Sequence, residues 1–173
     1  REIVDFAEIK KKLGERAAGL IESGMIVGLG TGSTAECLIA SLIRRVKHER
    51  LAIQVVASSE RSAKLALSGG IALLDIDEAP RIDLTIDGAD QIDPQKRLIK
   101  GAGGALLREK ILASASREMI VIADETKLAP HLGKIKLPVE IVRYGALVTQ
   151  RRIESLGFKG AWRKDKHSFF LTD

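Results

Sequence analysis

Met25-Ile26-Val27-Gly28-Leu29-Gly30-Thr31-Gly32-Ser33-Thr34 decides how the rest of the chain is read. Met25 to Val27 reads as a short buried strand, and it runs straight into three alternating glycines and two hydroxyl residues. The stretch 34–47 then carries apolar residues at helical spacing. A strand, a glycine loop and a helix in that order aim free backbone N–H groups and the helix dipole at an anion. Ser33 and Thr34 add hydroxyl donors. The competing reading is a tight turn that needs glycine only for its backbone geometry.

Outward from this loop the pattern repeats. Upstream, 5–22 reads as a helix on Ile9, Leu13, Ala17 and Leu20, with Lys10, Lys11 and Lys12 turned elsewhere and Ser23-Gly24 as its stop. Downstream, strands are expected at 53–57, 71–74, 82–86 and 119–123, with helices at 60–68 and 105–116 between them. Apolar strands alternating with amphipathic helices predict a doubly wound, mainly parallel α/β sheet of Rossmann-like type. Ligands of such sheets sit beyond the carboxyl ends of the strands, where Ser33, Ser58, Asp87 and Asp124 all fall. After Pro130 the pattern changes to a strand at 137–142, a helix at 147–156 stopped by Gly157, and a strand at 169–171. The expected organisation is therefore a domain over 1–129 and a smaller, partial α+β unit over 130–173. That second unit stops inside a strand, so the sequence reads as incomplete at its C-terminus.

Composition narrows the partners. The 173 residues carry 28 basic and 23 acidic side chains, a net charge of +5, which mildly favours anionic ligands. Aromatics make up only 3% and no Lys/Arg stripe interleaves with them, so nucleic acid is not expected. A small phosphorylated metabolite fits the charge equally well. The single Cys37 excludes an internal disulfide and a multi-cysteine zinc site, and reads as inert core. His48, His131 and His167 follow no ligand spacing. No apolar run approaches a membrane span, and the start Arg1-Glu2-Ile3-Val4-Asp5 is too polar for a signal peptide, so the expected location is cytoplasmic.

The chemistry is expected at Asp87-Gly88-Ala89-Asp90 and Lys100-Gly101-Ala102-Gly103-Gly104. Two carboxylates, a lysine and a bare-backbone turn suit one small polar ligand and proton transfer at its oxygens. Asp87, Asp90 and Asp93 fail the calcium-loop pattern, and Asp93-Pro94 reads as a turn starter, so no metal is expected. Glu109 has Ala105, Leu106, Leu112 and Ala113 one turn away. On that apolar stripe its carboxylate loses water without gaining an intrahelical partner, so its pKa should rise, as a general base requires. A glutamate at the edge of the stripe, facing solvent, is the alternative. Lys127 is a further, weaker candidate for an anion.

Rival readings of the glycine loop remain. A dinucleotide loop wants glycine where Ser33 stands, yet Ser58-Ser59-Glu60-Arg61 would suit the extra phosphate of NADP, so a reductase stays open. It leaves Asp87, Asp90 and Glu109 without work. A Walker loop requires a lysine between Gly32 and Ser33, which is absent.

Together, Gly28 to Thr34, Ser58-Ser59-Glu60, Thr85-Ile86-Asp87-Gly88-Ala89-Asp90 and Lys100 to Lys110 resemble ribose-5-phosphate isomerase, type A, from the first helix to Asp173. The resemblance implies interconversion of ribose 5-phosphate and ribulose 5-phosphate through an enediolate, with no metal and no cofactor. It implies Glu109 as the base between C1 and C2, and Asp87 and Asp90 as aids to ring opening and proton shuttling. Lys100, with nearby amides, would stabilise the enediolate. Thr31, Gly32, Ser33 and Thr34 would form the substrate loop, joined by Gly88, Ala89, Gly101, Ala102 and Gly103. Lys10 and Lys127 match positions associated with the phosphate. A homodimer or homotetramer with an α+β lid is implied as well. Ala102 stands where glycine is frequent in the family. A non-catalytic sugar-phosphate-sensing domain of a transcription regulator is the alternative from another class.

Overall fold

A computed structural model describes residues 5–173; the polar start 1–4, read above against a signal peptide, lies outside them. The chain order is α1 (Phe6–Ala18), β1 (Ile26–Leu29), α2 (Ser33–Glu49), β2 (Gln54–Ala57), α3 (Glu60–Ser68), β3 (Ala72–Leu73), β4 (Ile82–Asp87), β5 (Gln91–Ile92), β6 (Leu98–Ile99), α4 (Leu106–Ser114), β7 (Ser116–Val121), α5 (Ala146–Ser155), β8 (Lys164–Asp165) and β9 (Ser168–Phe169). Five strands form one parallel sheet in the order β3-β2-β1-β4-β7. The chain leaves β1 toward β2 on one side and returns to β4 on the other. The carboxyl ends of β1 and β4 thus flank the switch point, where open α/β sheets bind ligands.

Local chemistry explains the edges. Asp5 caps α1 by accepting from the N–H groups of Ala7 and Glu8. Arg45 of α2 donates to the carbonyls of Ala18 and Ile21, so one guanidinium satisfies the end of α1. Gly14 lets α1 lie on the backbone of Cys37 and Leu38, where a Cβ would collide. This approach fixes α1, and with it Lys10, against the start of α2. Val27, Leu29, Leu38, Leu42, Val55 and Ile86 fill the core almost without exposure. Each such side chain contributes about 1.5–3 kcal/mol by leaving water.

Several boundaries differ from expectation. The first helix ends at Ala18 rather than 22, and the strand expected at 119–123 runs Ser116–Val121. The expected helix 105–116 stops at Ser114 because Ser114 and Ser116 turn their hydroxyls back onto the carbonyls of Ile111 and Leu112. No glycine or proline marks that stop. The β5–β6 hairpin was not expected; Asp93 builds its turn by accepting from the N–H groups of Gln95 and Arg97. The strand expected at 137–142 is absent, since that stretch has no ladder partner among the described residues. The strand expected at 169–171 is the short β9, paired with β8. Cys37 is half-exposed rather than core. No residue of 130–173 is buried; the core ends at Ala129. Among the described residues, no helix is long and apolar enough to cross a membrane.

Candidate active site

The ends of β1, β2, β4 and β6 supply most of the site. Asp87, the last residue of β4, is 1% exposed. Its Oδ1 accepts from the N–H groups of Thr31 at 3.1 Å and Gly88 at 2.7 Å. Gly30 makes this approach possible, because a Cβ there would run into the Asp87 carboxyl group. The glycine loop after β1 is therefore bound directly to the acid after β4. The hydroxyls of Thr31 and Ser58 share a 2.8 Å hydrogen bond, which ties in the end of β2.

Lys100 reaches back from the end of β6. Its ammonium donates to Asp87 Oδ2 at 2.8 Å and to the Gly88 carbonyl at 2.6 Å. It also stands 3.6 Å from Oε1 of Glu109. Glu109 enters from the first turn of α4 and is 6% exposed, so it is buried beside Lys100 and not turned to solvent. Its Oε2 is buried without a hydrogen-bond partner among the described residues. Such an atom is costly, by about 1–3 kcal/mol, and native proteins keep few of them. Burial pushes the Glu109 carboxyl up to about 7; the Asp87 charge adds to the rise, Lys100 opposes it, and Asp90 adds a little more.

Asp90 sits on the rim, where its Oδ2 accepts from the Ala102 N–H at 2.9 Å. The turn 101–104 is possible because Gly101 and Gly104 take φ of 105° and 83°. A Cβ on Gly103 would stand 3.3 Å from the Thr31 methyl, so this turn lies beside the first glycine loop. Helix α2 starts at Ser33 with Gly32 as an N-cap that offers no side-chain acceptor. Its first amides, with Ser33 and Thr34, are open to an anion. Lys10 donates to Ser33 Oγ at 3.0 Å. Asp124 lies in the field of Lys127 and Lys10, and its carboxyl is held low chiefly by the Thr126 hydroxyl. Lys10 and Lys127 thus share one corner, beside the start of α2. Ala89 is half-buried between the two acids.

The sequence reading underused two residues. Ser58 was noted as a strand end but not as a partner of Thr31. Asp124 was likewise only a strand end; the Asp124-x-Thr126 spacing was the signal for its cap. The alternative use of Ser58-Ser59-Glu60-Arg61 finds its donors engaged: Ser58 with Thr31, Ser59 capping α3, and Arg61 with Glu36 at 2.6 Å. Asp87, Asp90 and Asp93 do not converge, since Asp93 turns to Arg97. Among the described residues no three His, Cys, Asp or Glu side chains gather as a metal site would need.

Fold and cleft together define an α/β protein with an acid–base cluster at its topological switch point and an anion corner beside it. The family profile described as ribose 5-phosphate isomerase A (phosphoriboisomerase A) matches residues 54–173. Ribose-5-phosphate isomerase A of Sinorhizobium fredii is 51% identical over 176 residues, covering 98% of this chain and 76% of the relative. The structure of ribose 5-phosphate isomerase A from Methanocaldococcus jannaschii superposes with a TM-score of 0.91 at 34% identity, covering 98% of this chain and 76% of that one. A D-ribose-5-phosphate isomerase in complex with phospho-erythronic acid gives 0.92 at 32% identity, with the same coverage. The chain belongs to the ribose 5-phosphate isomerase A family.

Proposed function

We infer that this chain interconverts ribose 5-phosphate and ribulose 5-phosphate by moving a proton between C1 and C2. The observation that carries the mechanism is the buried Oε2 of Glu109, unpartnered among the described residues. A carboxylate held near pKa 7 by burial keeps enough basicity to take a carbon-bound proton and is about half ionised at neutral pH. A sensing domain has no need of such a group.

In the open-chain aldose, Glu109 removes the C2 proton, and the C2–H electron pair forms the C1–C2 double bond of the enediolate. The negative charge falls on the former carbonyl oxygen, where the Lys100 ammonium and the amides of the 101–104 turn stabilise it. Glu109 returns the proton to C1, while the O2 proton moves toward O1. The two aspartates divide their work. Asp87 accepts three hydrogen bonds and holds Lys100 in place, whereas Asp90 uses one oxygen on Ala102 and keeps the other for proton shuttling and ring opening. The phosphate lies between Lys10, Lys127, Ser33 and Thr34. A neighbour complexed with phospho-erythronic acid supports a phosphorylated sugar as the ligand.

The division into a catalytic unit over 1–129 and a lid over 130–173 is part of the proposal, supported by a core that ends at Ala129. So is assembly into a homodimer or homotetramer, supported by the exposed Leu137, Val139, Val142 and Leu147. A cytoplasmic location is proposed because a charged sugar phosphate is retained where it is made. The test is a coupled assay for ribulose 5-phosphate formation from ribose 5-phosphate, with and without chelator. Turnover unaffected by chelator is expected; a folded protein that forms no ketose overturns the reading.

A further inference from the structure

Arg163 lies outside every motif that the function uses, yet its Nη1 donates to the Ala102 carbonyl at 2.7 Å. Its guanidinium stacks over the Phe170 ring, 3.8 Å from the centroid. Phe170 in turn covers Gly104 so closely that a Cβ there would stand 2.5 Å from the ring. The Asp173 N–H donates to the Gly104 carbonyl at 3.0 Å. Three contacts from 163–173 thus fall on two carbonyls and one bare Cα of the 101–104 turn.

The orientation has a consequence for the amides. A trans peptide unit is planar, so its C=O and N–H point in opposite directions. Holding the Ala102 carbonyl on Arg163 therefore aims the Gly103 N–H the other way. That N–H has no partner among the described residues. From the other side, Ala102 N–H is held by Asp90. The turn is gripped on both flanks, and glycines at 101 and 104 with positive φ would otherwise leave it free to rotate.

We propose that Arg163, braced by Phe170, is a positioning residue that orients the Gly103 amide toward the oxygen bearing charge in the enediolate. It rests on the isomerase reading above. The guanidinium touches no substrate and acts only through the turn. A misaligned oxyanion donor costs rate and spares ground-state binding.

The test compares Arg163→Ala, Arg163→Lys and Phe170→Leu in steady-state kinetics with ribose 5-phosphate, and records the Gly103 amide cross-peak by nitrogen-15 NMR. Arg163→Ala is expected to lower kcat by about tenfold with KM within about twofold. The Gly103 peak shifts, and added guanidinium partly restores kcat. Arg163→Lys retains an intermediate kcat because an ammonium donates to the carbonyl without the planar stack. Phe170→Leu weakens the brace and moves the same peak. An unchanged kcat, or a raised KM at unchanged kcat, overturns the proposal. An inactive parent protein counts against the isomerase reading instead; the Gly103 peak then decides the clamp alone, and an unmoved peak refutes it.

Discussion

Lys100 Nζ stands 3.6 Å from one oxygen of Glu109, while the other oxygen of that carboxylate is buried with no partner among the described residues. The same ammonium lies 2.8 Å from Asp87, so one positive charge serves two acids. This shortage of positive charge, added to burial, keeps Glu109 basic. It also leaves one oxygen free to meet a proton on carbon.

Glu109→Gln keeps the shape of the side chain and removes its ability to accept that proton. The expected loss in kcat is about 10²–10⁴-fold, with the affinity for sugar phosphate nearly unchanged. Steady-state kinetics together with calorimetric titration of a phosphorylated sugar acid check both halves. Parent-like turnover counts against Glu109 as the base.

The pH dependence follows from the raised carboxyl. Only ionised Glu109 accepts a proton, so kcat/KM climbs with pH to a plateau and bends near pH 7. Below the bend it falls about tenfold per pH unit. Stability runs the other way. Between 4.5 and about 7 the folded chain holds a proton that the unfolded chain has released, so stability drops as pH rises through that window. At pH 8 Glu109→Gln should melt above the parent, and the gap should close as the pH approaches 4.5. Thermal melts across that range measure it.

Gly30→Ala places a Cβ against the Asp87 carboxyl group and backbone. The strand end must shift, at a cost of about 1–3 kcal/mol. Asp87 then loses its hold on Lys100, and kcat falls more than KM rises. Gly160→Ala, where nothing lies within 4 Å, is the control and should be neutral in urea unfolding and in rate.

Lys10→Ala and Lys127→Ala each remove one charge from the proposed phosphate corner. KM for ribose 5-phosphate should rise about tenfold or more for each, the worth of one charge-assisted hydrogen bond. kcat should change little, because neither lysine reaches the carbons that exchange the proton. Initial rates over a substrate range decide the split; a fall in kcat at constant KM speaks against the phosphate role.

Much was readable because it depends on neighbours in the chain. The alternation of apolar runs and amphipathic stretches set the class of sheet, and the glycine loop after Val27 located its ligand edge. Asp87, Asp90, Lys100 and Glu109 stood out as candidates on either side of a glycine turn, and the fold brings Asp87 and Glu109 to the same lysine. Boundaries were harder. The end of α4 is made by serine hydroxyls bonding backward, and the β5–β6 hairpin is too short to show an alternating pattern. The stretch 137–142 has the composition of a strand, but a strand exists only when a partner offers its hydrogen bonds.

Sequence alone determined the class of sheet and which acid–base side chains were candidates for the chemistry, because periodicity, glycine and acid–base types are local properties. Whether Glu109 faces water or is buried was left open by its helical neighbours. Only the tertiary structure decided it, because burial is set by α4 packing across the sheet and by Lys100 arriving from another loop. The grip of Arg163 on Ala102 belongs to the same kind, since two residues 61 positions apart meet only once the chain has folded.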